Sequence, residues 1–450
     1  MAGHNQKHKG TLKELLKTSI PAVIDLTGQP MVWIYEAFLL GQISYAALGG
    51  AGLAFQFIVV TLTVVLTFVI GSSLIINRHL GAGESWKANH IFGQAMMLGA
   101  VLSVIIGIVW YVGAPWIFKI INESEPVGKV YGIQYLQTIA LFAPIVIVCY
   151  IALGIIRSTG DSHFSLLINL IIIGVNVLLA PLLAFGEFGF PRLEVVGLAM
   201  SKGIAFTVGF FITAYLVRSR RAKLFLSMRE MTTPNWGSVK KLFKIGFPST
   251  VEQLTWYSGQ LIVSGYAARL GLVALTTHQL LLLLQAVMSM IYQGFSLGSM
   301  TLVGKNVGAD DHRQAERTGY IASGLILFAV LLIVCFVYSF SLEILQIFTK
   351  DQEVLDLGLK VIFVFALVQI PKALNTVLMG NLRGAGELKW IMWVTIASVL
   401  VFEVTASYAV VFIFNFTLVG IWGVHGFDEF SRFLFNFVRF RTGKWKTQEI

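Results

Sequence analysis

The sequence predicts an all-α polytopic membrane protein of about twelve transmembrane helices in two pseudo-symmetric bundles of six. Three observations predict it. Apolar residues make up 56% of the chain and charged residues only 12%, about half the ~25% usual in soluble domains. With so little polar surface, most of the chain needs lipid as its solvent. Apolar runs of membrane-crossing length recur along the whole sequence, and the second set of runs repeats the first. Glycine is frequent, at 43 residues, which suits close helix packing in lipid.

A bilayer core takes about 20 apolar residues per helix. By that rule spans fall near 19–40, 52–76, 90–112, 132–154, 165–186 and 196–217, then near 246–268, 277–303, 319–340, 358–380, 393–414 and 416–438. The connections justify the breaks in order. Spans 2 and 3 are separated by Arg78 and Lys87, spans 4 and 5 by Arg157, and spans 6 and 7 by a basic stretch over 218–244. Spans 8 and 9 are separated by Lys305, Arg313 and Arg317, and spans 10 and 11 by Arg383 and Lys389. The intervening connections are acidic: Glu123 and Glu125, then Glu187 and Glu194, then Glu343, Asp351, Glu353 and Asp356. The positive-inside rule places the basic set and both termini in the cytoplasm of a cell whose inner or plasma membrane holds the chain. The polar, basic segment before span 1 reads as a lead-in rather than a cleavable signal.

The net charge of +10 is therefore a topology signal. Its basic residues are spread over many short loops, which argues against nucleic-acid binding. Cys149 and Cys335 sit in apolar runs and read as small fillers, with no metal or disulfide pattern.

A shift of 227 residues superimposes the halves. Pro21 falls on Pro248, Asp25 on Glu252, Gly71-Ser72 on Gly298-Ser299, Arg78 on Lys305, and Pro144 on Pro371. After a one-residue slip, Arg157-Ser-Thr-Gly160-Asp161 falls on Arg383-Gly-Ala-Gly386-Glu387. Six is an even number, so both halves start on the same side and are parallel repeats; binding sites in such folds lie between the halves near mid-membrane. The expected organisation is a lobe over 1–217, a cytoplasmic linker over 218–244 and a lobe over 245–450.

These landmarks resemble the MATE family, the multidrug and toxic compound extrusion transporters. The resemblance rests on Pro21 through Asp25, Gly71 through Gly83, Gly154 through Asp161, and Asn176 with Pro181, Gly186 and Pro191. It extends to Pro248 with Glu252, Leu302-Val303-Gly304 with Gly308-Ala309, Leu382 through Gly386, and a tail with Gly420, Trp422, Asp428, Glu429, Arg432, Arg439 and Trp445. It implies a V-shaped pair of six-helix bundles around a central cleft. It also implies export of organic, often cationic and aromatic, compounds against inward flow of protons, with sodium as the alternative ion. Flippases of lipid-linked sugars belong to the wider superfamily.

Ionisable residues inside spans cost about 2.5–3.5 kcal/mol each on insertion scales and call for a reason. Asp25 and Glu36 on span 1 are three turns apart and share a face, with Gln29 beside that line. Asp25 reads either as a near-interface residue meeting water or Lys17, or as part of a site. The family resemblance implies a cation site built from an acid at Glu36 with Asn, Asp and Thr on spans 5 and 6. Asn176 fits, whereas Ala180 and Lys202 replace the Asp and Thr. A carboxylate lost and an ammonium gained predict a Glu36–Lys202 ion pair in place of a bound cation; the rival reading has Lys202 snorkelling to headgroups.

In the second half, proton coupling is expected to centre on Glu252, a carboxylate in a largely apolar bundle, with a proton shared within a Glu252–Lys372–Glu403 network as the alternative. Gln253, Trp256, Tyr257, Gln260, Met288 and Tyr292 are candidate substrate contacts, rings beside a carboxylate suiting a flat cation; ordinary packing is the alternative. Asp428 and Arg432 read as a local i, i+4 pair. His278 reads as a satisfied helix-end histidine, with a proton relay as the alternative.

Enzyme chemistry finds no support: there is no phosphate-cradling loop, metal-spaced His or Cys set, or nucleophile elbow. Transport without an ATP motif draws on an ion gradient and needs no cofactor. The expected partners are the lipid bilayer and small organic cations, the chain acting as a monomer. Apart from antiport, the sequence admits a lipid-linked substrate flippase and a non-transporting receptor.

Overall fold

The computed structural model describes residues 2–120, 126–219, 222–226, 233–349 and 351–447. Glu123, Glu125, Arg220 and Arg221, and the side chain of Gln29, lie outside the described residues. Twelve long helices account for the twelve expected spans. They are α1 (Ala2–Ile43), α2 (Tyr45–Gly81), α3 (Ser85–Ile120), α4 (Pro126–Ser158), α5 (Ser162–Phe185), α6 (Glu194–Arg218), α7 (Trp236–Arg269), α8 (Leu272–Gly308), α9 (His312–Ser339), α11 (Gln352–Ala385), α12 (Leu388–Ile413) and α13 (Leu418–Arg441). A short helix, α10 (Ser341–Phe348), precedes α11.

Nine of these helices are long and apolar enough to cross a membrane by length and composition alone. The other three, α1, α7 and α13, carry the buried acids Asp25, Glu36, Glu252, Asp428 and Glu429. Interior charge also comes from helices that meet the criterion, with Lys202 on α6, Lys372 on α11 and Glu403 on α12. Lipid explains the opposite surface: Val101, Val104, Ile105, Ile108 and Val112 of α3 stay about half exposed, an apolar stripe that water would not tolerate.

The sequence repeat is a structural one. The helices α4 and α11 end in the same turn, in which Gly160 (φ 88°) and Gly386 (φ 95°) adopt left-handed backbone. Their N–H groups donate to the carbonyls of Arg157 (3.2 Å) and Arg383 (3.0 Å). Glycine takes this conformation without the Cβ penalty that other residues meet.

The chain divides into two compact units, Ile24–Gly246 and Met1–Val23 with Phe247–Ile450. This differs from lobes over 1–217 and 245–450. The stretch after α6 is stitched to the first unit: Gln94 Nε2 donates to the Thr233 carbonyl (2.9 Å), Asn235 N–H to Gln94 Oε1 (2.8 Å) and Phe225 N–H to Asn89 Oδ1 (2.9 Å). The start of α1 instead packs on α8 and α9. Gln314 Nε2 donates to Thr11 Oγ1 at 2.7 Å, and Gly294 lets the α1 backbone come close: a Cβ there would lie 2.8 Å from the backbone of Val23.

A core of the second unit buries Tyr292, Phe365, Trp422, Met288 and Leu281 together. Cys149 is a buried filler, packed with Ile168 and Ile172 of α5.

Candidate functional site

Within the first unit, four helices converge on Glu36. The Lys202 ammonium on α6 lies 2.6 Å from Glu36 Oε2 and donates to the Tyr135 hydroxyl at 3.1 Å. Asn176 Nδ2 on α5 donates to Glu36 Oε1 at 3.3 Å. The ammonium also sits 5.5 Å from the Phe55 ring centroid. Lys202 turns inward to the carboxylate rather than outward to headgroups. Gly197 makes room for this by bringing α6 against the end of α5, where a Cβ would meet the Leu183 carbonyl. Ala180 is fully buried on α5.

Asp25 is buried, not a water-facing interfacial residue. It accepts from Arg157 Nε (2.6 Å), Ser165 Oγ (2.7 Å) and Asn169 Nδ2. Its repeat mate Glu252 does the same in the second unit, meeting Arg383 Nη2 at 2.5 Å. Each unit thus ties its first proline-containing helix to the end of its fourth long helix through one buried acid–arginine pair. All four residues stand among the repeat landmarks, so the signal for these pairs was present in the sequence, where the arginines read only as loop cations.

Glu252, Lys372 and Glu403 do not form one network, because each has a different partner. Glu252 is held by Arg383. Lys372 on α11 lies 2.8 Å from Glu429 Oε1, and its ammonium sits 5.5 Å from the Trp256 ring centroid. Glu403 Oε1 lies 2.5 Å from His425 Nδ1. The helix α13 presents a continuous buried polar stripe that takes Lys372 and Glu403, whereas Arg383 at the end of α11 takes Glu252.

His425, Asp428, Glu429, Arg432 and Asn436 recur at helical spacing and are all buried. Arg432 binds Asp428 and, at 3.2 Å, Glu429. Ser398 donates to Asp428, Asn375 Nδ2 donates to Glu429 Oε2 (3.0 Å), and Asn436 Nδ2 donates to Asn375 Oδ1 (2.9 Å). The Asp428–Arg432 pair expected from i, i+4 spacing is present, but as part of this larger system. Ligand atoms of Glu403, His425 and Asp428 lie within 4.8 Å of one another; the guanidinium already on Asp428 would repel a metal ion there.

His425 and Glu429 are the residues that sequence reasoning missed as site members. A signal existed. Val195-Val-Gly-Leu198 resembles Leu418-Val-Gly-Ile421, and that register sets Lys202 on His425 and Gly203 on Gly426. Glu403 falls on Asn176 at the 227-residue shift. It stands in a π-helical segment, Val399–Ala406, whose wider turn aims its side chain. Each unit therefore faces a basic nitrogen side chain on its last long helix, Lys202 or His425, with a carboxylate; Glu36 on α1 supplies it in one unit and Glu403 on α12 in the other.

Of the candidate substrate contacts, Tyr257 is about half exposed and packs edge-on against Trp256, centroids 5.2 Å apart. Gln253 and Gln260 are half-buried. Met288 and Tyr292 belong to the packed core of the second unit. His278 is buried, and neither ring nitrogen has a partner among the described residues, so it is not a satisfied helix-end histidine.

A multi-pass helical chain built from two repeats, with its interior charges paired across helices, is a membrane transporter of the two-lobed class and not an enzyme. Comparison with known proteins specifies the class. The MatE family model matches residues 21–182 and 248–409, two segments 227 residues apart, and the chain belongs to this family of multidrug efflux transporters. It is 24% identical over 448 residues to the probable multidrug resistance protein NorM of Thermotoga maritima, covering 97% of this chain and 94% of the relative. Its fold is similar to that of a MOP superfamily transporter from Pyrococcus furiosus, with a TM-score of 0.88 at 19% identity, covering 96% of this chain and 95% of the other. It is also similar to an outward-facing multidrug resistance MATE family transporter, with a TM-score of 0.83 at 19% identity, covering 96% and 95%.

Proposed function

We propose that this chain is a proton-driven antiporter that exports organic, aromatic cations by alternating access between its two lobes, with both termini in the cytoplasm. One observation carries the choice of ion. Seven carboxylates are buried among the described residues: Asp25, Glu36, Glu252, Glu387, Glu403, Asp428 and Glu429. Six are paired with a lysine or arginine, whose charge is permanent at physiological pH. Glu403 alone is paired with a histidine, the side chain that changes charge between pH 5 and 8. A sodium ion approaching Glu36 or Glu429 would have to displace an ammonium already bound there. A proton needs only the imidazole.

The aromatic pair Trp256–Tyr257 with Gln253 on α7 suits flat cations through ring stacking and cation–π attraction. Multidrug resistance in the names of relatives supports the same class of cargo. A lipid-linked pyrophosphate would need intramembrane cations to meet it, yet Lys202 and Lys372 are each bound to a carboxylate, which weighs against a flippase. Antiport follows if proton and substrate disfavour one another's binding, a reciprocal coupling required by linkage.

The test uses everted membrane vesicles, ethidium as the cation, and proton and sodium gradients imposed separately. Ethidium accumulation driven by the proton gradient without sodium is expected. Accumulation that needs sodium and ignores the proton gradient would overturn the reading.

A further inference from the structure

The helices α7, α8 and α13 of the second unit enclose a small cavity whose polar walls are Gln260, His278, Trp422 and His425, with Val263 and Ile421 among its apolar ones. It leaves about 10 Å³ for the centre of a water molecule, close to the room one water needs. Five nitrogens of the polar walls are buried and have no hydrogen-bond partner among the described residues: Gln260 Nε2, both ring nitrogens of His278, Trp422 Nε1 and His425 Nε2. Three of the four residues are more than nine-tenths buried. Buried donors and acceptors are rarely left unpaired, and a water with two to four polar partners is the usual remedy.

The chemistry of His425 gives that water a direction. Its Nδ1 faces the Glu403 carboxylate at 2.5 Å. An ionised Glu403 accepts only, so Nδ1 carries the hydrogen, and the Nε2 lone pair of the neutral ring is the basic atom left over. A second imidazole, His278, stands on the opposite helix; the Trp422 ring lies 5.7 Å from His278 and 5.5 Å from His425, centroid to centroid.

We propose that this cavity binds a single water joining His278 to His425 Nε2, so that Glu403, His425, the water and His278 hold one exchangeable proton as a unit. The inference rests on the proton-driven reading and locates its ion site. In the loading step, the water's proton goes to His425 Nε2 while the water receives one from the incoming hydronium; release reverses the transfers, and no other bond changes. His278 is a positioning residue, acting on His425 through the water.

The groups facing this unit come from every helix packed on it. Glu403 stands on α12 and His278 on α8. Asp428 and Glu429 stand on α13 itself, with Arg432 acting on both and on Glu403. On α11, Lys372 reaches it through Glu429, and α7 contributes the neutral Gln260, since Glu252 is bound to Arg383.

The experiment uses the full-length protein with ¹⁵N-labelled histidine in nanodiscs, the His425 signal being assigned by its loss in His425→Gln. In the wild type, His425 should keep Nδ1 protonated throughout, facing Glu403. His278→Phe fills the cavity and should move the His425 midpoint by about one pH unit or more. His278→Gln, which can still bind the water, should move it less. Trp422→Phe removes one N–H without removing the ring and should shift it in the same sense as His278→Phe. The pH profile of ethidium export in proteoliposomes should follow these midpoints. An unmoved His425 midpoint in both His278→Phe and Trp422→Phe would overturn the water-bridged unit. Sodium-driven export by the wild type, with the midpoint shifts intact, would instead overturn the proton-driven reading and leave the water-bridged pair standing.

Discussion

Glu36 and Lys202 face each other inside the first unit with little solvent between them, so removing one partner leaves a buried charge without its counterion. Such a change costs about 3–5 kcal/mol. Glu36→Gln and Lys202→Met should each lower the thermal unfolding temperature in detergent markedly, and the double variant should recover part of the loss. Additive losses would show that the 2.6 Å pair contributes no coupling. Glu252 makes a different kind of prediction. Its tie to Arg383 is the repeat mate of Asp25–Arg157, so Glu252→Gln and Asp25→Asn should destabilise to similar extents. Protein that survives should still export ethidium with a proton gradient. Loss of proton coupling in folded Glu252→Gln, with wild-type coupling in folded Glu403→Gln, would return the coupling role to Glu252. The sequence marked Glu252 as functional because a lone acid in a span demands a reason; the reason lies in an arginine that charge counting had left in a loop.

At the scale of elements, two local features decide what meets what. The π-helical turn at Val399–Ala406 spreads five residues over a hydrogen-bonded step instead of four. Deleting Leu400 within it should restore an α-helix and turn Glu403 about 100° around the axis, away from His425. Circular dichroism should stay helical while the pH dependence of export is lost; an unchanged pH profile would show that Glu403 acts without His425. Close helix approach is the second feature. Gly294→Ala places a methyl 2.8 Å from the Val23 backbone, and overpacking of this kind costs about 1–3 kcal/mol. The start of α1 should then become sensitive to protease at low temperature, where the wild type resists. Positions of helices were legible in the sequence, since each expected span falls on one observed helix to within two residues at its ends. Neither feature was, because a π-turn and a glycine contact both depend on the partner helix.

At the scale of the molecule, the two units do not end where the halves of the sequence do. Residues 1–23 belong with 247–450, although the first repeat begins within them, at Pro21. A first fragment over 1–246, co-expressed with 247–450, should co-purify with it and raise its protease resistance. A first fragment starting at residue 24 should lose that protection, and equal protection by both would place the start of α1 with the first unit. Phe225 and Thr233, which fall in the expected linker, are likewise bonded to Asn89 and Gln94 of the first unit.

The sequence by itself determined the helices, the repeat, the paired offset of acids and arginines, and the family. Those follow from hydropathy, bilayer thickness and residue order, all of which belong to the chain alone. It also held enough to predict that Glu36 and Lys202 would meet, because a carboxylate at Ala180 is lost and an ammonium at Lys202 gained at positions that the family resemblance places around Glu36. Only the tertiary structure decided that Glu252 answers to Arg383, Lys372 to Glu429 and Glu403 to His425. A buried charge finds its partner by the rotation of its helix and by which helix lies opposite. One residue of slip turns a side chain about 100°, and packing across the whole unit sets that angle.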